Sequence, residues 1–326
     1  MKILVTGAGG YLGGAIARRL GARGDEVRSF SRGSYPELEA LGVETHRGDL
    51  DDAASVRRAV AGCDAVVHVA ARVGGWGDEE DYVAANVRGT EHVVRACRKE
   101  SVPRLVFTST PSVVHHGGDL EGVDESVPYA KTFSAAYPKT KAIAERFVLS
   151  QNDDSLATVA LRPHLVWGPG DPHLIPRTLE RARRGRLRLP GGPPKWVDHV
   201  FIDDAAEAHI CAIDRLTVGA PCAGRPYFIS AGEPVRTDRL INAILDAGGL
   251  PPVTARVPPA VLLAAGRMAE TVYRGLGRKT EPPITLFAAE QLVTSHYFDI
   301  SAARRDLGYA PRVRLEDGLA RLRAFG

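Results

Sequence analysis

The segment Thr6-Gly7-Ala8-Gly9-Gly10-Tyr11-Leu12-Gly13 directly follows the apolar run Lys2-Ile3-Leu4-Val5, and that placement leaves few folds open to the chain. Glycines at 7, 10 and 13 let a strand turn sharply into a helix and bring the first helical amides against a bound anion, where the helix dipole favours negative charge. A glycine trio alone is weak evidence, because tight turns and close helix packing use the same residue. Its position between a strand and an amphipathic stretch is what points to a dinucleotide pyrophosphate. Gly9, Tyr11 and Leu12 lie in the same turn and are expected to contact the cofactor with Gly7, Gly10 and Gly13.

The rest of the first half repeats one pattern. Strand-like runs at 3–5, 26–30, 65–69, 104–108 and 157–161 alternate with helix-length amphipathic stretches at 14–23, 53–61, 86–99 and 137–149. Strands separated by helices pair in parallel through right-handed crossovers, which predicts an α/β fold with a Rossmann-type doubly wound sheet. After Arg162-Pro163 the texture changes, with Gly168-Pro169-Gly170, Pro190-Gly191-Gly192-Pro193-Pro194 and Pro251-Pro252 interrupting helices. Residues 1–165 are therefore expected to form an NADP-binding domain and 166–326 a smaller, discontinuous C-terminal substrate-binding lobe. The stretch 200–231 is expected to return to the first domain. A chain of 326 residues is long enough for both.

At the end of the second strand an NAD-selective site usually offers an acidic residue to the ribose. This chain has Ser31-Arg32, and arginine's permanently charged fork suits a 2′-phosphate, so NADP(H) is the expected cofactor. Asp49-Leu50, after the third strand, reads either as an acceptor for the adenine amino group or as a helix N-cap.

Tyr137 and Lys141 are four residues apart, so a helix places them on one face, about one turn from each other. A phenol near pKa 10 is a poor acid–base group at neutral pH, and a neighbouring cation is expected to bring it toward the working range. The pattern is common on helix surfaces; its weight here comes from the glycine turn and the hydroxyl-rich strand end Thr108-Ser109-Thr110.

Read in order, Thr6–Gly13, Asp49-Leu50, His68-Val69-Ala70-Ala71, Asn86-Val87-Arg88-Gly89-Thr90, Thr108-Ser109-Thr110, Tyr137–Lys141 and Leu161-Arg162-Pro163 resemble the extended short-chain dehydrogenase/reductases over essentially the whole chain. Lys195 to Asp204 and Tyr227-Phe228-Ile229-Ser230 are similar to the 3β-hydroxysteroid dehydrogenase branch. Within it, Thr108 to Val113, Lys139 to Arg146 and Trp167 to Asp171 resemble the reductases of branched β-keto acids in bacterial long-chain olefin biosynthesis.

The resemblance implies a nicotinamide oxidoreductase with Tyr137 as proton donor and Lys141 holding the cofactor ribose. Ala70, Ala71, Asn86 and Pro163 would lie along the cofactor, with Asn86 also able to hold sheet backbone. The family usually carries serine where this chain has Thr110; Thr110 is favoured by register as the third catalytic group, and Ser109 stays open. His164 reads as a pocket-wall residue or a substrate contact, and His115-His116 as solvent-facing.

Sugar-nucleotide enzymes of this superfamily carry an arginine where this chain has Val197, and without it a diphosphate loses charge-assisted bonds worth about 1.5–3 kcal/mol each. A hydrophobic keto acid is the expected substrate, reduced from a 2-alkyl-3-oxo to a 2-alkyl-3-hydroxy acid. A 3β-hydroxysteroid or sterol-carboxylate dehydrogenase is the alternative, and a non-catalytic NADP-binding regulator the second. The apolar stretches 257–276 and 282–293 would line an acyl tunnel, pack the second lobe or touch a membrane surface. The remaining expected partners are a second copy of the chain or other olefin-pathway enzymes.

Composition bounds the rest. A net charge of +3 with no basic cluster argues against nucleic acid. Cys63, Cys97, Cys211 and Cys222 are scattered, without metal-ligand spacing, so no metal is expected. A strand within two residues of Met1 and the lack of a spanning apolar run point to the cytoplasm.

Overall fold

Seven strands assemble into one sheet, interleaved with helices: β1 (Lys2–Thr6), α1 (Tyr11–Ala22), β2 (Glu26–Ser31), β3 (Glu44–Arg47), α2 (Ala53–Val60), β4 (Ala65–His68), α3 (Gly89–Lys99), β5 (Arg104–Thr108), α4 (Ala136–Ser150), β6 (Ala157–Pro163), α5 (Ile202–Arg215) and β7 (Arg225–Ile229). The structure is a computed structural model, and it describes residues 1–325. The sheet order is β7-β6-β5-β4-β1-β2-β3, with all neighbours parallel. Strand order reverses between β1 and β4, which opens a crevice at the carboxyl ends of these strands.

Burial follows from coverage on both faces. Ile16 and Leu20 of α1 pack with Ala205 and Ile213 of α5 on one side. Val56 of α2, Val93 and Val94 of α3 and Val148 of α4 pack on the other. The edge strand β3, Glu-Thr-His-Arg, has no apolar residue and is mostly exposed; its pairing with β2 rather than burial makes it a strand.

The helix expected over 86–99 begins at Gly89, because Val83–Arg88 forms a wider π-helical turn that carries Asn86 inward.

The C-terminal part has its own core of Trp167, Val197, Phe201, Val235, Leu240 and Ile244. Its small sheet is ordered Val235–Arg236, Trp196–Val197, His296–Phe298, Leu120–Val123. Two further helices, α6 (Pro259–Gly275) and α7 (Leu286–Val293), pack against each other. Among the described residues no helix is long and apolar enough to cross a membrane.

Candidate active site

The turn between β1 and α1 is built so that only glycine fits. Gly7 has φ +72°, and a Cβ there would meet the Ala70 backbone at 2.9 Å. A Cβ on Gly13 would strike the Gly7 carbonyl, and one on Gly9 would strike the Tyr35 ring. Gly10 N donates to Gly7 O at 2.8 Å, and α1 starts with Gly10 at its N-cap and no capping side chain. The first-turn amides of α1 thus have the open, anion-seeking geometry that a pyrophosphate needs, and the residues present fit a dinucleotide.

Other expected cofactor residues divide. Ser31 Oγ accepts from Gly9 N at 3.2 Å. Arg32 is exposed, and its carbonyl accepts from Arg47 Nε at 2.9 Å, which ties the ends of β2 and β3 together. Asp49 is exposed and accepts from Asp51 N at 3.1 Å; the N-cap of α2 is Asp52, bonded to Ala54 N and Ser55 N, which corrects the capping reading of Asp49. Leu50 is buried against Gly89, and its carbonyl bonds His92 Nδ1 at 2.7 Å. The side chains of Tyr11 and Leu12, expected among the cofactor contacts, are partly buried and pack against the core of the C-terminal lobe. The Tyr35 ring covers Gly9 and Gly33, a contact that no motif in the sequence signals.

The hydroxyl-rich end of β5 meets the start of α4. Ser109 N extends the ladder to Leu161 O at 2.6 Å, while its Oγ is buried without a hydrogen-bond partner. Thr110 Oγ1 accepts from Ser112 N and donates to Ser112 Oγ, both at 3.3 Å, and it is the hydroxyl that acts on the Tyr137 phenol. Strand alternation thus separates the two neighbours, with Thr110 toward Tyr137 and Ser109 away from it. Tyr137 is half-buried, and desolvation pushes its phenol up to about 12, with the Thr110 hydroxyl opposing.

Lys141 is buried, its Nζ donating to Thr108 O at 2.5 Å and lying 3.9 Å from the centre of the Phe107 ring. Burial pushes this amine down to about 7, against the pull of the Glu145 carboxylate. The expectation that Lys141 would lower the phenol is corrected here: desolvation dominates both groups, and the ammonium is turned to a carbonyl and a ring rather than to Tyr137.

Asn86 is a positioning residue. Its Oδ1 accepts from Arg72 N at 2.7 Å, and its Nδ2 donates to Arg72 O and to Thr140 Oγ1, both at 3.0 Å. With its amide consumed in this way, the expected cofactor contact is replaced by a tie between the segment after β4 and α4, one residue from Lys141. Ala70, whose amide donates to Thr6 Oγ1 at 3.2 Å, and Ala71 begin that segment, and Pro163 closes β6.

His68 completes the crevice floor. Thr6 Oγ1 accepts from Val69 N and Ala70 N, so its own proton goes to His68 Nδ1 at 2.7 Å; His68 Nε2 then donates to Thr90 Oγ1 at 3.0 Å, and Thr90 donates to Asn86 O at 2.7 Å. Burial, aided by Lys141, drives the imidazole down to about 3, which matches this neutral tautomer. The His68-Val69-Ala70-Ala71 segment is legible in the sequence, but the bonds of His68 are not, because its partners are 62 and 22 residues away.

His164 is buried and paired to His296 at 2.6 Å. Because His296 Nε2 must donate to Gln291 O, its Nδ1 accepts from His164 Nε2. His115, expected in solvent, is buried and bonds Thr294 Oγ1 at 3.1 Å, while His116 is exposed. Arg162 and Glu145 form a fully buried pair, with Nη2 to Oε1 at 2.5 Å and Tyr129 donating to the same oxygen at 2.7 Å. Val197 is buried and pairs with Val235 and His296 in the small sheet, so an uncharged side chain stands at the position read for a diphosphate grip.

Comparison with known proteins adds the following. Residues 4–258 match the 3-beta hydroxysteroid dehydrogenase/isomerase family. The chain is 51% identical to the 2-alkyl-3-oxoalkanoate reductase of Stenotrophomonas maltophilia, with 99% of each chain covered. It is 50% identical to the 2-alkyl-3-oxoalkanoate reductase of Shewanella oneidensis, over 98% of this chain and 85% of the relative. Among solved structures, the UDP-glucose 4-epimerase of Thermus thermophilus in complex with NAD superposes with a TM-score of 0.74 at 25% identity, covering 100% of this chain and 98% of that one.

Proposed function

The chain belongs to the 3-beta hydroxysteroid dehydrogenase/isomerase family of extended short-chain dehydrogenase/reductases, and we propose that within it the protein reduces the ketone of a long-chain 2-alkyl-3-oxoalkanoate to the 2-alkyl-3-hydroxyalkanoate with NADPH. The reading rests on the meeting of Thr110, Tyr137 and Lys141 at the carboxyl end of β5, in a chain half identical to two reductases of that name.

The glycine turn would hold the pyrophosphate and Arg32 the 2′-phosphate, and NADPH bound there supplies the hydride for the ketone carbon. Tyr137 gives its phenolic proton to the carbonyl oxygen as it becomes an alkoxide; burial keeps the phenol in the protonated form that reduction requires. Thr110 turns its hydroxyl from the long Ser112 bonds to the same oxygen, meeting charge where it develops. Lys141, which donates to Thr108 O, would hold the ribose, while Asn86 fixes the start of α4 through Thr140.

The buried Val197 favours an apolar substrate over a nucleotide-sugar. A keto-acid substrate of this class would suit a step of long-chain olefin biosynthesis, and the likeness to the two 2-alkyl-3-oxoalkanoate reductases supports that reading. The family description supports a second reading, a 3β-hydroxysteroid dehydrogenase.

A substrate panel with purified protein distinguishes them. Rapid oxidation of NADPH by a 2-alkyl-3-oxoalkanoate, with slow turnover of steroids and of NADH, is the expected result. Steroid turnover far above keto-acid turnover would overturn the keto-acid reading, and no redox activity on any member would leave only a cofactor-binding protein.

A further inference from the structure

We infer that His209 is a positioning residue for the reaction: through Thr108 it fixes the end of β5, on which Lys141 is anchored and from which Thr110 follows. His209 stands midway along α5 among Ala205, Ala206, Ala208, Ala212 and Ile213, and like them it is 0% exposed. A buried imidazole in such small, apolar company carries a desolvation cost unless its nitrogens are paired. Both are. Nδ1 lies 2.7 Å from Ala205 O, and Nε2 lies 2.9 Å from Thr108 Oγ1.

The direction of each bond is forced. A backbone carbonyl only accepts, so Nδ1 carries the proton, and burial pushes the ring down to about 4, which keeps it neutral. Nε2 therefore offers a lone pair, and Thr108 Oγ1 donates to it. The bond joins residues 101 positions apart and holds the last residue of β5 from the sheet face that α1 and α5 cover.

The backbone of the same residue serves the site. Thr108 O accepts from Lys141 Nζ at 2.5 Å, and α4, which carries Lys141, packs on the opposite sheet face. Thr108 is thus held between two helices, to one by its hydroxyl and to the other by its carbonyl. Two residues on, Thr110 begins the turn Pro111–Val113. A rotation of the backbone at Thr108 would move the anchor of Lys141 and carry Thr110 with it. The helix that prevents this is itself seated on the C-terminal part of the chain, because Asp204 in its first turn accepts from Arg312 N at 3.0 Å and from Val313 N at 2.9 Å.

The inference rests on the roles proposed for Lys141 and Thr110, and not on which ketone is reduced. Three substitutions isolate the bond. Thr108→Val removes the hydroxyl but keeps the shape and the carbonyl. His209→Gln keeps an acceptor near the place of Nε2, whereas His209→Asn keeps a polar group near Nδ1 alone. Each full-length variant is compared with the parent in NADPH affinity by nicotinamide fluorescence, in kcat with whichever ketone of the substrate panel the parent reduces, and in thermal unfolding. Trace acylation of Lys141, read by mass spectrometry, is measured without cofactor.

Thr108→Val and His209→Asn should weaken NADPH by about fivefold, lower kcat by about tenfold or more, and acylate Lys141 about threefold faster, since a small misplacement at a reacting group is costly. His209→Gln should recover most of the parent values. Parent affinity, rate and acylation in Thr108→Val would overturn the inference, as would a His209→Gln protein no better than His209→Asn. A lower unfolding temperature as the sole change would also overturn it, leaving His209 a packing residue. Acylation needs neither NADPH nor ketone, so the two readings fail separately: an inert parent whose Lys141 still reacts faster in Thr108→Val loses the proposed function and keeps the positioning role of His209.

Discussion

Thr110 and Ser109 are adjacent hydroxyls in nearly equal burial, yet the structure assigns them opposite consequences on removal. Thr110→Ala deletes the hydroxyl that opposes the upward shift of the Tyr137 phenol. Loss of one such donor at a developing oxyanion costs about 2.7–4 kcal/mol, or about 10²–10³ in kcat. The same hydroxyl N-caps the short helix Pro111–Val113 through a long 3.3 Å bond to Ser112 N, so the stability loss should stay near the low end of a capping bond, about 0.5 kcal/mol.

Ser109→Ala deletes a buried hydroxyl that has no partner. An unsatisfied buried polar group costs about 1–3 kcal/mol, so its removal should leave activity within about twofold and stability unchanged or raised. Thr110→Ser keeps the hydroxyl and should stay within roughly tenfold of the parent. Steady-state NADPH oxidation gives kcat, and urea unfolding followed by circular dichroism gives stability. A hundredfold loss in Ser109→Ala, with Thr110→Ala near the parent rate, would refute the assignment of faces.

Further outcomes follow from the same geometry. Arg32→Glu should raise the KM for NADPH by about 10–100-fold with little change in kcat, since it removes charge-assisted bonds worth about 1.5–3 kcal/mol at the 2′-phosphate; comparison with NADH in the same assay checks it. Glu145→Gln leaves the buried Arg162 cation uncompensated and should destabilise the fold by about 3–5 kcal/mol in urea unfolding, whereas replacing both partners by leucine and methionine should cost far less. Lys141 has a folded pKa of about 7, below the ordinary lysine value of 10.5, so between these two the unfolded chain holds the extra proton and stability from this site rises with pH. Thermal unfolding at pH 7, 8 and 9 should therefore show that rise in the parent and lose it in Lys141→Met.

What could be read from the sequence is what short spacings encode. Gly7, Gly10 and Gly13 sit within one turn, and Tyr137 and Lys141 within one turn of α4, so local geometry alone brings each set together. The buried strands announce themselves by apolar runs, but β3, Glu-Thr-His-Arg, is a strand only because β2 pairs with it, which no hydrophobic pattern reports. Most of the site's support depends on distant partners: His68 with Thr6, Asn86 with Thr140, and His115 with Thr294, 179 residues away. His115 reads as solvent-facing because its loop context is polar and its partner Thr294 lies far along the chain. For Lys141 the sequence indicates the place but not the orientation. A motif fixes where a residue sits, while packing decides whether its side chain turns to the C-terminal core, as Tyr11 does, or to a backbone carbonyl, as Lys141 does.

The central claim, hydride delivery to the ketone carbon with Tyr137 as proton donor, is tested most directly by isotope transfer. Purified protein would be given NADPH carrying deuterium at C4 of the nicotinamide and a 2-alkyl-3-oxoalkanoate, and the product would be read by mass spectrometry. One deuterium at C3 of the 3-hydroxy acid is expected for the parent, with product formation in Tyr137→Phe reduced by about 10² or more. Unlabelled product from either C4-labelled face of the cofactor, or an undiminished rate in Tyr137→Phe, would contradict it.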